Sequence, residues 1–499
     1  MFLIRINMKK KLVSLFVFIT TCISAQNNVF FSADFWKSKP SVEQVKQKIA
    51  EGNDPVALNE RAYDATSLAI NNGASFETIV YLLSLKGNEV DKLTHDKRTY
   101  IFWAAFQNRL DVAKYLLDKG AKTDVRDSHL YSPLLFSAVR GNKSIEFYEM
   151  LIKYGANVKD RNENGATALL LLIPHLKDLK EVDYFIKKGL SLKDVDNKGD
   201  NSIFYAARYG NQDIINQLIK KKIDVKAVNK KGQNIAFAAA EGGRGKSNDI
   251  SFFKYVESLG INPNQKDKEG LTPLFILSFR HRDVGVLSYF IEKGNDVNQT
   301  NASGQSPLMN AASSNILPIV TLLADKTQNI NAVNNHKQSA LTLAVHRNSA
   351  EVVDFLIGKG ADVNVKDDKG NSLVYYLVDG YSPLKQEDFK KKWDILLEKG
   401  LDMAQLQANG NTIYHLAVQK GNLDLLQKAS SASVSVDTKN EEGLTPLHQA
   451  IMTAKNLDII NFLLEKGADK TVTTDFGESA YDLAQENEAL NGLNINFLK

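Results

Sequence analysis

The sequence predicts an all-α solenoid, a one-dimensional stack of helix–turn–helix units, on three observations. A glycine-led motif recurs: "GDNSIFYA" from Gly199, "GLTPLFIL" from Gly270, "GQSPLMNA" from Gly304, "GNTIYHLA" from Gly410 and "GLTPLHQA" from Gly443. Its interval is nearly constant, 33 residues from Gly199 to Gly232 and from Gly410 to Gly443, 34 from Gly270 to Gly304 and from Gly443 to Gly477. A second marker keeps the same beat ("LLDKGA", "LIKYGA", "FIKKGL", "FIEKGN", "LIGKGA", "LLEKGL", "LLEKGA"), carrying Gly120, Gly155, Gly189, Gly294, Gly360, Gly400 and Gly467. A fixed period of this size marks a repeat array, and 499 residues are too many for one ordinary core.

Within a unit the elements follow from local chemistry. Thr445-Pro446 starts a first helix, proline being tolerated where its missing N–H is not needed. Leu447, Ala450 and Ile451 line one face of it. A second helix runs from Leu457, with Ile459, Ile460, Leu463 and Leu464 at helical spacing, and Gly467 ends it in the left-handed conformation. The polar stretch "ADKTVTTDFG" leads to the next unit. Helices this short are not stable alone in water, so each pair must be covered by its neighbours.

Thr445 to Ala450 resembles, residue for residue, the T-P-L-H-x-A signature of the ankyrin-repeat family, whose period is also 33 residues. "GADVNVKDDKGNS", Gly360 to Ser372, is similar to that family's helix end and β-hairpin finger. The resemblance implies an ankyrin-repeat solenoid with β-hairpin fingers. About twelve units over residues 64–476 begin near Asp64, Lys97, Leu130, Gly165, Gly199, Gly232, Gly270, Gly304, Lys337, Gly370, Gly410 and Gly443. Residues 477–499 read as a C-terminal capping repeat, with acids where inner units are apolar. Residues 26–63 read as an N-terminal extension and capping half repeat, with a capping box at Ser41 and Gln44. Gln26 to Lys39 is expected to be loosely held, its Phe30, Phe31, Phe35 and Trp36 packing on the first helices. Two units are longer, 38 residues from Gly232 and 40 from Gly370, with the extra residues between the paired helices at 241–249 and 379–392. "GGRGKS" in the first insertion is not a phosphate loop: that needs GxxxxGK[ST] leading from a strand into a helix, and here a helix precedes and the spacing is short.

The N-terminus is of another kind. Lys9, Lys10 and Lys11 precede an apolar run, Leu12 to Ile19, and the small residues of "TTCISAQ". Basic, apolar, small is the order of a secretory signal peptide, here residues 1–25 with cleavage before Gln26, starting at Met1 or Met8. Lipid anchoring through Cys22 is the alternative, although Thr21 stands where lipoprotein signals carry Gly, Ala or Ser. Cys22 is the only cysteine, so the exported chain would have no disulfide, thiol nucleophile or thiolate metal site. Loss of Arg5, Lys9, Lys10 and Lys11 takes Lys+Arg from 62 to 58, against 58 Asp+Glu, and this balance argues against nucleic acid as a partner. After the N-terminus no apolar run reaches the ~18 residues of a membrane span.

The slot of His448 is filled in other units by Phe102, Leu135, Leu170, Phe204, Phe237, Phe275, Met309, Thr342, Tyr375 and His415. An apolar slot argues that His448 and His415 pack and bridge rather than react. The slot three residues earlier holds Thr99, Ser132, Thr167, Asn201, Asn234, Thr272, Ser306, Ser339, Ser372, Thr412 and Thr445, as a helix start requires. The remaining histidines, His95, His129, His175, His281, His336 and His346, have no metal-ligand spacing. Nothing in the sequence argues for catalysis or a cofactor.

The function the resemblance implies is therefore non-enzymatic: an exported bacterial scaffold, periplasmic or secreted, monomeric, binding a protein partner on its concave face. Mapped onto this chain, the exposed ends of the first helices carry Arg140, Arg208, Tyr209, Glu241, Arg280, His346, Arg347, Gln419 and Lys420. Their basic and aromatic bias suits an acidic partner. Finger tips such as Lys230, Lys231, Asp368, Lys369, Glu441 and Glu442 are secondary candidates. The alternatives are a secreted effector that engages host proteins, and an enzyme or glycan-binding accessory acting through an inserted loop.

Overall fold

The computed structural model describes residues 28–499. The export signal expected over residues 1–25, with Cys22, lies outside the described residues. The chain divides into two compact units, Met1–Lys230 and Lys231–Lys499.

In the first unit five helix pairs follow one another: Ala65–Asn71 with Phe76–Leu83, Tyr100–Phe106 with Leu110–Asp118, Pro133–Val139 with Ile145–Lys153, Ala168–Leu172 with Lys180–Lys187, and Ser202–Arg208 with Gln212–Lys220. Ahead of them stand Ala33–Lys37 and Val42–Ala50. The segment expected to be loosely held is thus partly helical. Phe30 and Trp36 are fully buried, and the Trp36 indole N–H donates to the Phe30 carbonyl at 2.8 Å. Ser41 and Gln44 form the capping box.

The second unit holds Ile235–Glu241 with Ile250–Ser258, Pro273–Arg280 with Val284–Glu292, Pro307–Ser314 with Leu317–Ala324, and Ala340–Arg347 with Ala350–Gly358. Leu373–Asp379 with Gln386–Glu398, Ile413–Gln419 with Leu423–Ala429, and Pro446–Thr453 with Asp458–Glu465 follow, and Ala480–Glu486 closes it.

The two helices of a pair are buried differently, and this gives each unit its order. In Ile413–Gln419 six consecutive residues, Ile413 to Val418, are buried, whereas Leu423–Ala429 buries only Leu425, Leu426 and Ala429. A first helix has a neighbour's first helix on either side and its own partner behind, so it is apolar nearly all round. A second helix keeps a solvent face and stays amphipathic. Small residues such as Ala104, Ala206, Ala311, Ala344, Ala417 and Ala450, all within 2% of full burial, let successive first helices approach.

Most helix starts are capped as the sequence predicts. Nine of the eleven slot residues accept a hydrogen bond from the helix's own N–H groups, from Ser132 through Thr445. Thr99 and Thr272 make no such bond. The Thr272 hydroxyl is held instead by the side-chain amide of Gln299, in the connection that ends the same unit, at 2.8 Å. At the other end, Gly467 sits at φ 92°, its N–H bonding Leu464 and the Ala468 N–H bonding Leu463. Those two bonds satisfy carbonyls the helix leaves open.

The fingers are not β-hairpins. Among the described residues no strand forms, only isolated bridges such as Thr94↔Arg98 and Val333↔Ser339. The reason is an Asp or Asn at the finger's start. Asp367 Oδ1 accepts the N–H of Lys369 (2.9 Å) and of Asn371 (2.8 Å), and its own N–H donates to the Asn371 carbonyl at 2.9 Å. The side chain takes the N–H groups a second ladder rung would need. Asp127, Asn162, Asp196, Asp267, Asn301, Asn334 and Asn440 do the same.

Many successive fingers are joined by a single main-chain bond. In the first unit the N–H of Ser128 donates to Asp96 (2.8 Å), Asn197 to Asn164 (2.8 Å) and Lys230 to Lys198 (2.9 Å). In the second, Lys268 donates to Lys231 (2.8 Å), Asn335 to Ser303 (2.9 Å), Asp368 to His336 (3.1 Å) and Glu441 to Asn409 (2.9 Å).

Both insertions are ordered. In 241–249, Gly243 and Lys246 exchange two backbone bonds, and buried Asn248 donates to the Ala239 carbonyl while its own carbonyl faces His281 Nε2 at 2.9 Å. In 379–392 the chain makes a tight turn at Pro383–Lys385, and from Gln386 it is helix rather than loop, a 13-residue helix where other second helices have seven to nine.

Candidate functional site

His415 and His448 are buried, 0% and 1% exposed. Each ring reads two main-chain groups. His448 Nδ1 accepts the Thr445 N–H at 3.2 Å, and Nε2 lies 2.9 Å from the Val472 carbonyl. His415 Nδ1 accepts the Thr412 N–H at 3.1 Å, and Nε2 lies 3.0 Å from the Leu444 carbonyl. One nitrogen must accept and the other donate, so both rings are neutral. Burial pushes both pKa values down, the facing carbonyl only partly opposing it. These histidines close a helix start and tie it to the next connection, with no open position for a substrate. Among the described residues no group of three His, Cys, Asp or Glu could hold a metal ion.

The residues expected at the exposed first-helix ends are set apart from one another by the structure. In the first unit Arg140 is exposed and lies over the Phe106 ring at 4.2 Å, and Tyr209 is half-buried beside His175. Arg208 is committed inward. It pairs with Asp200, whose side chain is 1% exposed, and lies over the Tyr205 ring at 5.1 Å. Asn229 donates to the other Asp200 oxygen at 2.9 Å. Burial pushes the Asp200 carboxyl above its usual range, with the charge of Arg208 opposing.

In the second unit Glu241, Arg280, Arg347 and Gln419 are exposed, and Arg280 lies over Phe279 at 5.1 Å. His346 and Lys420 converge on one carboxylate that sequence reading missed. Asp379 lies 3.0 Å from His346 Nε2 and 2.5 Å from Lys420 Nζ. Burial alone would raise the Asp379 pKa, but Lys420 and His346 hold it below the usual carboxylate range. Burial pushes His346 down, against the pull of Asp379. The net result is a mixed surface: Arg280 and Arg347 present positive charge, while the charge of Lys420 is largely offset.

At the finger tips Lys230 of the first unit, and Lys231, Asp368, Lys369, Glu441 and Glu442 of the second, have exposed side chains. Several have their backbones locked in the finger-to-finger bonds. Tips so fixed present side chains without an entropic cost of ordering the loop.

The family profile described as "Ankyrin repeats (3 copies)" matches residues 37–127, 134–229, 280–367 and 386–474, well over half of the chain. Palmitoyltransferase AKR1 of Debaryomyces hansenii is 28% identical over 141 residues, covering 27% of this chain and 16% of that protein. The nuclear factor NF-kappa-B p105 subunit of Gallus gallus is 35% identical over 97 residues, 19% of this chain and 10% of its own length. The B-cell lymphoma 3 protein homolog of Mus musculus is 36% identical over 102 residues, 19% of this chain and 22% of its own. The chain thus spans less than a quarter of each of these relatives. Among solved structures, the human ASB11 ankyrin repeat domain is similar over 43% of this chain and 91% of that domain, at 24% identity and a TM-score of 0.37.

Proposed function

Because this chain belongs to the ankyrin-repeat family, in general a family of protein-interaction modules rather than catalysts, we propose that it is a non-enzymatic scaffold, exported to the bacterial envelope or beyond, that binds a protein partner. The observation that supports it most is the solvent-facing set of first-helix ends in the second unit, Arg280, Arg347 and Gln419, each set on a helix whose other residues are largely buried. Rigid elements that present charged tips bind with little ordering cost. The positive members favour an acidic partner surface. Export rests on the Lys9 to Ala25 pattern alone.

Crosslinking and mass spectrometry in the native cell identifies the partner. Quantitative capture by the parent and by the Arg280→Glu/Arg347→Glu variant then tests the face. The variant captures less, most clearly at low salt, because exposed charges are screened beyond about 10 Å at 0.1 M. Equal capture, with circular dichroism showing both folded, refutes the face. N-terminal sequencing of envelope protein tests export: a start near Gln26 supports it, and an intact N-terminus in the cytoplasm overturns it.

A further inference from the structure

The 379–392 insertion does more than lengthen a unit. Between Ala340–Arg347 and the inserted turn and helix lies a cleft of about 350 Å³, lined by Val345, His346, Arg347, Asn348, Leu377, Gly380, Ser382, Lys385, Asp388, Phe389 and Lys392. In an ordinary unit of this chain only a short turn, such as Lys420 to Asn422, separates the paired helices. Here the chain leaves at Gly380, packed so closely that a Cβ would sit 2.1 Å from the His346 carbonyl oxygen, and returns through Lys385.

The charges in this cleft do not balance. Arg347, Lys385 and Lys392 face a single lining carboxylate, Asp388. That carboxylate is already used on both oxygens: one takes Lys392 Nζ at 3.0 Å, the other the Ala350 N–H at 2.8 Å. Lys392 is 6% exposed and also reaches the Val345 carbonyl at 3.3 Å. Arg347 and Lys385 are exposed and have no carboxylate partner among the described residues. His346, also on the wall, is turned to Asp379 at 3.0 Å. The groups repel one another. Burial pushes the Lys392 pKa down and the Lys385 charge adds to it, with Asp388 opposing, and Arg347 acts in the same sense on His346. Apolar Val345, Leu377 and buried Phe389 form part of the wall, which strengthens charge interactions within the cleft.

We propose that this cleft is a binding site for an oxyanion, a carboxylate or phosphate group, held by Arg347 and Lys385 over the Lys392–Asp388 pair. Guanidinium and ammonium donors converging on a concave site are what such a group requires, and an anion there relieves the repulsion. The site shares Arg347 with the proposed partner face, whereas Lys385 belongs to the cleft alone, and its binding is assayed with no partner present.

The test uses the full chain and two probes at low salt, a fluorescently labelled hexaglutamate peptide followed by anisotropy and inorganic phosphate as competitor. The parent binds hexaglutamate, and Arg347→Ala/Lys385→Ala weakens it by about tenfold or more, the loss of two charge-assisted bonds. Lys390→Ala/Lys391→Ala removes the same charge from exposed positions on the inserted helix that do not line the cleft, and it binds like the parent. Displacement by phosphate assigns the site to any oxyanion; resistance to it assigns the site to a carboxylate on a chain. No binding by the parent, or equal weakening by the two double variants, overturns the proposal.

Discussion

Replacing Arg208 by alanine separates a committed arginine from a displayed one. Arg208 faces Asp200, whose carboxylate is 1% exposed; the arginine itself is 15% exposed. Asn229 would still donate to one oxygen of that carboxylate, but the counter-charge would be gone. Breaking a buried pair from one side costs about 3–5 kcal/mol, because it leaves an uncompensated buried charge. The stacking on Tyr205 at 5.1 Å adds about 0.5–1 kcal/mol. Arg280→Ala, at an exposed helix end, changes stability by only about 0.5 kcal/mol. The pH dependence carries the sign. Burial raises the folded Asp200 pKa, and loss of Arg208 raises it further, so the folded variant prefers the protonated acid. Stability from such a group is present at low pH and lost as pH rises through the folded pKa. The deficit of Arg208→Ala is therefore largest near neutrality and shrinks as pH falls toward about 4, the unperturbed carboxylate range. Hydrogen exchange read over residues 199–230 is the assay, because an array does not unfold as one two-state body. Asp200→Asn combined with Arg208→Ala recovers most of the loss, since no charge is left unpaired. The reasoning fails if Arg208→Ala costs no more than Arg280→Ala, or if the double variant is worse than the single.

Four histidines, buried His415 and His448 and half-buried His175 and His346, have pKa values pushed down by burial, so below about 6.5 the unfolded chain takes up protons that the folded chain refuses. Stability is complete above that pH and falls below it; thermal melts from pH 7.5 to 5 show the slope, and an unchanged slope in His415→Gln/His448→Gln sinks the account. Leu130 holds a finger position at φ 59° with its side chain 50% exposed, so Leu130→Gly stabilises by about 0.5–1 kcal/mol in urea titrations, and a loss contradicts the strain. Ala450→Arg, at a site 2% exposed, both overpacks and buries a charge, costing several kcal/mol. Hydrogen exchange places that damage in Ile413–Gln419, Pro446–Thr453 and Ala480–Glu486, and an even loss from Ala65 onward rejects local coupling.

What the sequence made legible was whatever the period repeats. Lys97, Leu130 and Lys337 mark unit starts without a glycine, and the structure gives them φ of 57°, 59° and 55°, the backbone that glycine supplies elsewhere. The caps from Ser132 to Thr445 were legible for the same reason. Thr272 escaped because its partner, Gln299, is 27 residues away and no local rule names it. The finger chemistry was missed too. The Asp or Asn three residues before the glycine is as regular as the glycine, and its side chain replaces the hairpin ladder. In the candidate face, periodicity placed Arg208, His346 and Lys420 on helix ends but could not say that they were taken. A signal did exist for His346. Asp379 stands in its slot one unit later, 33 residues on, so a slot-by-slot search for opposite charges would have found the pair.

The bonds that join one finger to the next belong to the main chain, which every residue possesses. The joint therefore measures length and is indifferent to side-chain identity. A whole period added or removed leaves every donor opposite an acceptor, whereas losing one or two residues inside a finger strands an N–H. Both insertions in this chain fall between paired helices, where that count is not kept. The array can thus acquire a new cavity, as at 379–392, with main-chain joints on either side of it, Asp368 to His336 and Glu441 to Asn409, while across the insertion itself the Ala408 N–H donates to the Asn371 side chain instead.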